Sequence, residues 1–254
     1  RAKKRVDVFT LGSRASVLNT THESPIVAHV ALSEQRTYPY ERLLKSCLQH
    51  LVDAVTNEHI VCRQFFKRDA FEFLFPNTLQ LLLEQLENYL FGCYDALCIL
   101  LMIKVIHQFR KSAQSRTIHS LDNFFDQMSN LLWPRLKTVM EIHHRSIKQA
   151  TASSLGGVDL HPHYVSRRLA EFTCSVLLIL QKGSKQAHIV DRKSKESVRR
   201  KNSQASQNQE NSDPNHLKAT AGDMLLRDLN DLLGEYIALL ERLAEEHVVN
   251  SKKI

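Results

Sequence analysis

A chain of 254 residues with 43% hydrophobic residues is long enough to bury a sizeable core, as one extended domain or two small ones. Seven Gly and six Pro are about 5% of the chain against roughly 12% on average, which disfavours a turn-rich all-β fold and favours long helices. The net charge of +7 suggests a nucleic-acid binder until it is located: eight basic against two acidic residues fall between Lys182 and Lys201, more lie at Arg1, Lys3, Lys4 and Arg5, and the rest is slightly acidic.

Five cysteines without a CxxC pair, set in apolar helical patterns, read as free thiols of a reducing compartment. The most apolar run, Ala96 to Ile103, is well short of the ~18 residues a bilayer span needs. No secretory signal opens the chain, and starting on Arg1 it reads as part of something longer, with a cytosolic chain as the default.

In chain order, residues 1–36 lack sustained periodicity and are expected to form an extended arm that docks on the body. At Tyr38-Pro39-Tyr40-Glu41 the pattern changes: Pro39 suits a first helical turn, Glu41 suits the positive end of the dipole, and apolar residues recur from Leu44 to about Phe66. A short turn, Ala70 to Phe75, precedes Pro76. A continuous helix of about 50 Å at ~1.5 Å per residue is then expected over 78–111, with Leu79, Leu86, Leu90, Leu97 and Leu101 on one face.

A third long helix begins near Ser120 and runs through Phe124, Met128 and Leu132 to Pro134. There the missing donor, at a cost of about 3 kcal/mol in a helix interior, predicts a kink or break. Gly156 and Gly157 form a loop, and Pro162 opens a fourth helix on Val165, Leu169, Phe172, Val176 and Ile179. The stretch 182–221, rich in Ser, Gln, Asn and Lys, has too little apolar content to offset the entropy of ordering and is expected to be a disordered basic insertion. From Asp223, residues Leu225, Leu229, Leu232, Tyr236, Leu239 and Leu243 form a heptad seam that requires a partner, in this bundle or in another molecule. The resulting division is 1–36 arm, 37–181 helical bundle, 182–221 insertion or linker and 222–254 the helix that begins the next bundle.

Catalytic signatures are missing. There is no HExxH, GxSxG or GxGxxG, and Gly183-Ser184-Lys185 lacks the preceding glycine and strand of a phosphate loop. His143, His144, His161 and His163 are the densest set of ligand-type residues. Without an acidic base at helical spacing they read as ordinary polar histidines, so no metal and no cofactor is expected. Arg167 and Arg168 point about 100° apart on a helix: one pairs with Glu171, and the other either joins the local structure or meets a partner's carboxylate or phosphate. Gly156, Gly157, His163, Tyr164, Arg167, Arg168 and Glu171 are therefore expected to lock a corner or contact a partner.

Five stretches carry a resemblance: FTLGSRASVL (Phe9 to Leu18), YPYE (Tyr38 to Glu41), YLFGCYDAL (Tyr89 to Leu97), LLWPRL (Leu131 to Leu136) and LGGVDLHPHYVSRRLAEF (Leu155 to Phe172). In this order they resemble the vacuolar protein sorting-associated protein 52 family, subunits of the Golgi-associated retrograde protein complex (GARP) and its endosome-associated recycling relative (EARP). The resemblance implies an all-α, rod-shaped, tethering-complex fold without catalysis and assembly with the other complex subunits. It also implies contacts with SNAREs and a Golgi Rab GTPase, and peripheral association with trans-Golgi and endosomal membranes on their cytosolic face. The alternative from charge alone is a helical module that binds nucleic acid or an acidic surface through 182–201.

Overall fold

A computed structural model describes residues 8–19, 24–67, 70–151, 155, 163–199 and 214–251. The described residues are helical or irregular and contain no strand, as the low Gly and Pro content predicts. A 3₁₀ segment, Gly12–Leu18, is followed by α1 (Ala28–Ser33), α2 (Tyr40–Val61), a π-helical turn (Cys62–Phe66), α3 (Phe71–Leu74), α4 (Pro76–Phe91), α5 (Ala96–Ser115), α6 (Asp122–Gln149), α7 (Tyr164–Arg199) and α8 (Pro214–Ser251). No helix among the described residues is long and apolar enough to cross a membrane. The chain divides into two compact units, 1–139 and 140–254.

In the first unit α2 packs along α5. Leu44, Leu48, Leu51 and Val55 of α2 are buried, as are Leu97, Leu101 and Val105 of α5. The apolar face expected to reach Phe66 ends earlier: past Val55, Cys62 is still buried but Ile60, Phe65 and Phe66 are exposed. The N-terminal arm is not extended throughout. Its 3₁₀ segment lies on α2 and α5 with Val17 and Leu18 buried, as is Leu11 just before it.

The helix expected over 78–111 is two helices, and local chemistry explains the break. Gly92 ends α4, while the Asp95 side chain accepts the Cys98 amide at 2.9 Å as the N-cap of α5. Apolar spacing carries across this junction from Leu90 to Leu97, so periodicity alone does not reveal it. At Pro134, where a kink or break is expected, there is no break: α6 runs through it as one long helix, with Phe125, Met128, Leu132 and Leu136 buried on either side.

In the second unit, the end of α6 is joined to α8 by side chains. Arg242 donates to the carbonyls of Lys148 and Ile147 at 3.0 and 3.4 Å, satisfying acceptors that the helix C-terminus leaves open, and Lys148 pairs with Glu235 at 2.8 Å. The heptad seam from Leu225 to Leu243 is buried within this unit. Helical backbone extends over part of the stretch expected to be disordered, since α7 continues to Arg199 and α8 starts at Pro214; residues 200–213 lie outside the described residues. Lys, Arg, Gln, Ala and Glu are good helix formers, and adding turns to a helix already anchored by Phe172, Val176 and Ile179 needs no new nucleus.

Candidate functional site

The densest polar structure in the first unit is a buried node at the α4–α5 junction. Arg14, on the 3₁₀ segment, reaches Glu41 at 2.6 Å through Nε and Asp95 at 2.8 Å through a terminal nitrogen. Its side chain is 7% exposed and that of Glu41 is 2% exposed, so water screens neither charge. The second Glu41 oxygen accepts the Cys98 thiol at 3.3 Å, and the Tyr89 hydroxyl meets the same sulfur at 3.4 Å. Tyr89 stacks on Tyr40 with centroids 3.6 Å apart, and the Tyr40 hydroxyl donates to the Gln85 carbonyl at 3.3 Å.

One cation faces two carboxylates here. Burial works against the Arg14 charge, but Asp95 and Glu41 outweigh it and raise its pKa. Burial pushes the Asp95 carboxyl up; Arg14 and the Cys98 amide pull it back without cancelling that rise, and Glu41 adds to it. Burial also takes the Tyr40 phenol up to about 12, so it stays protonated and able to donate. Cys98 is held in its thiol form, its pKa raised by the Cys93 side chain and by burial.

A second arginine closes the junction from the other side. Arg135 of α6 donates through Nε and Nη2 to the Cys93 carbonyl at 3.0 and 2.9 Å and through Nη2 to Phe91 O at 3.3 Å. Its guanidinium carbon lies 4.8 Å from the centroid of the exposed Tyr94 ring. Four of the five stretches singled out in the sequence thus meet at one place: Arg14, Tyr40 with Glu41, Tyr89 to Asp95, and Arg135. The sequence reading named none of these as site residues.

The expected corner is the fifth stretch, in the second unit. Gly156 and Gly157 lie outside the described residues, as do His161 and Pro162. His163 precedes α7 and accepts the Val165 amide at Nδ1 (3.3 Å), while its Nε2 donates to the Leu155 carbonyl at 3.3 Å. This pattern fits the neutral tautomer. The His163 and Tyr164 rings are 4.5 Å apart, with Tyr164 exposed. Arg167 pairs with Glu171 at 2.9 Å, one helical turn on, as the spacing allows. Arg168 is exposed on the neighbouring face. The Ser166 and Tyr236 hydroxyls hydrogen-bond, tying α7 to α8.

His161 lies outside the described residues. His143 is half-buried with its ring 5.6 Å from Phe172, and burial followed by His144 lowers its pKa. No group of three or more His, Cys, Asp or Glu side chains suited to a metal occurs among the described residues. The node binds arm to bundle, and every charge in it is already paired. It is equipped to hold shape, and the thiol that meets Glu41 stays protonated.

Residues 1–213 match the family model described as Vps52, C-terminal. The chain belongs to the Vps52 family. It is 36% identical over 187 residues, 70% of its length, to vacuolar protein sorting-associated protein 52 homolog of Homo sapiens. It is also 36% identical over 176 residues to vacuolar protein sorting-associated protein 52 B of Arabidopsis thaliana and 26% identical over 194 residues to the Caenorhabditis elegans homolog. These matches cover 69% and 72% of the chain. The chain spans about a quarter of the length of the curated relatives it matches. No solved structure matches it. The Vps52-family assignment agrees with the resemblance read from the five stretches, and the described residues have the expected all-α fold.

Proposed function

We propose that this Vps52-family chain is a non-enzymatic stretch of a vesicle-tethering complex subunit that acts in retrograde transport from endosomes to the trans-Golgi network. The observation that carries the reading is the family match over residues 1–213. A helical body whose buried polar groups are spent on internal pairing suits a subunit that works by presenting surface. In this reading the chain assembles with the other subunits of the complex, and the assembled complex contacts SNAREs and a Golgi Rab GTPase at the cytosolic face of the membrane.

Within it, we assign Gly156, Gly157, His163, Tyr164, Arg167, Arg168 and Glu171 to the corner that sets α7 against its neighbours; Arg168→Ala then weakens folding or complex assembly and changes no chemical step. Unchanged thermal stability together with unchanged assembly would refute that role. The test of the whole reading is affinity purification of the full-length polypeptide followed by cross-linking. The expected result is recovery of the other tethering subunits, and their absence ends the proposal. Deleting 182–201 is expected to leave those subunits bound, whereas a steeply salt-dependent loss of nucleic-acid binding would favour the alternative.

A further inference from the structure

The node contains two thiols, and Asp95 holds both. Its carbonyl accepts the Cys93 thiol at 4.0 Å, and its carboxylate accepts the Cys98 amide at 2.9 Å. The two cysteine side chains hydrogen-bond to each other, and the Tyr89 hydroxyl meets both sulfurs, that of Cys98 at 3.4 Å.

The sulfurs differ in proton and in place. The Cys98 proton has two acceptors, the Cys93 sulfur and Glu41 Oε2 at 3.3 Å. Donation from Cys98 lowers the Cys93 pKa against the opposing effect of burial, while the same bond together with burial keeps Cys98 protonated. Cys93 is therefore the thiol with thiolate character, the form that attacks. It also lies next to solvent: it is 6% exposed, but Phe91, Gly92 and Tyr94 around it are exposed. Cys98 is 1% exposed and enclosed in the first turn of α5.

Freedom to move separates them as well. A disulfide brings sulfurs to ~2.05 Å, closer than a hydrogen bond, so one side must shift. Cys93 belongs to neither helix, and a Cβ added to its neighbour Gly92 would meet nothing within 4 Å, which leaves the connection room to close on a fixed Cys98. An ionisable thiol near the surface against a protonated one beneath it is the arrangement of an attacking and a resolving cysteine.

We propose that Cys93 and Cys98 are an oxidation site for a small peroxide, which joins them in a disulfide, takes the Cys98 donor from Glu41 and loosens the arm at Arg14. With hydrogen peroxide, the Cys93 thiolate attacks one oxygen: an S–O bond forms, the O–O bond breaks, and the leaving hydroxide takes up the proton that Cys93 released. The Cys98 sulfur then attacks the Cys93 sulfenic acid; the S–S bond forms, the S–O bond breaks, and the Cys98 proton leaves with that hydroxide as a second water. The thiol pair loses two electrons and the peroxide gains them. Glu41 keeps Arg14 at one oxygen but loses its donor at the other, and Arg14 lies on the 3₁₀ segment Gly12–Leu18.

The inference stands apart from the proposed function, and its test uses the reduced full-length protein. After hydrogen peroxide and blocking of free thiols, the tryptic peptide 69–104, whose two cysteines are Cys93 and Cys98, is expected to be lighter by two hydrogens, and dithiothreitol should restore it. Amide exchange over residues 12–18 is expected to quicken about tenfold in the oxidised protein and to return on reduction. In Cys98→Ser, Cys93 should stop at the sulfenic acid and take up dimedone. In Cys93→Ser, peroxide should leave Cys98 a thiol and exchange over 12–18 unchanged. A peptide that keeps its hydrogens while the exposed Cys47 and Cys174 are oxidised would overturn the inference. So would a dimedone adduct on Cys98 in Cys93→Ser, or a disulfide that leaves exchange over 12–18 as it was. If a variant does not fold, the mass and exchange of the wild type decide alone.

Discussion

The two units use arginine in opposite ways. At the node of the first unit, Arg14 is buried between Glu41 and Asp95, and removing it strands charges that water does not reach. In α7 of the second unit, Arg167 pairs with Glu171 on a helix surface, its side chain 79% exposed. Both lie in stretches that carry the family resemblance, yet their energetic weight differs severalfold. A signature motif therefore does not disclose what its residues do until burial is known.

The strongest way to break this contrast is Arg14→Ala. It leaves Glu41 facing Asp95 without a cation, and the expected loss is about 3–5 kcal/mol in chemical denaturation. The arm should also loosen, so hydrogen exchange at residues 12–18 is expected to rise with it. Restoring neutrality with Glu41→Gln and Asp95→Asn beside Arg14→Met should recover much of that loss, since neutral groups cost less to bury than unpaired charges. A loss below about 1 kcal/mol for the single variant would mean that the pair is no more valuable than a surface one.

Next in size is Arg135→Ala, expected to cost about 1–2 kcal/mol through the hydrogen bonds to Cys93 and Phe91 and the contact with Tyr94. Lysine does not reproduce the forked geometry, so Arg135→Lys should recover only part of it. Equal melting curves for Arg135→Lys and the wild type would show that charge alone holds the junction.

The helical class was legible because Leu44, Leu48, Leu97, Leu101 and Phe125 recur at helical spacing, and all of these are buried. The node was not, because Arg14, Glu41 and Asp95 lie 27 and 81 residues apart and only tertiary packing makes them neighbours. One signal was available: Gly92 followed by Asp95 is a stop and an N-cap inside an apolar run. It was masked by Leu90 and Leu97, which keep the period across the break.

Protonation sharpens the comparison within the second unit. Burial and His144 lower the pKa of His143, so the unfolded chain takes up its proton first as the pH falls. Its contribution to stability is complete above the ordinary histidine range of about 6.5 and is lost as the pH drops through the lower folded value. The melting temperature of the wild type is therefore expected to fall more steeply between about pH 7 and pH 5 than that of His143→Phe, which keeps a ring against Phe172 and has nothing to protonate. Parallel curves would place the pH sensitivity elsewhere.

The smallest effect belongs to Arg167→Ala. An exposed pair one turn apart on a helix is worth about 0.3–0.5 kcal/mol, and salt screens even that. The change is expected to be barely visible in a melt and to vanish at about 1 M salt, where the Debye length is ~3 Å. Tyr236→Phe in the same unit removes the bond to Ser166 and should cost about 0.5–1.5 kcal/mol regardless of salt, since a neutral bond between helices is not screened. If Arg167→Ala cost more than Tyr236→Phe, α7 would be held by its surface charges and the contrast with the buried node would fail. If the order is as expected, the α7–α8 contact depends on hydroxyls and apolar side chains more than on the surface pair of α7.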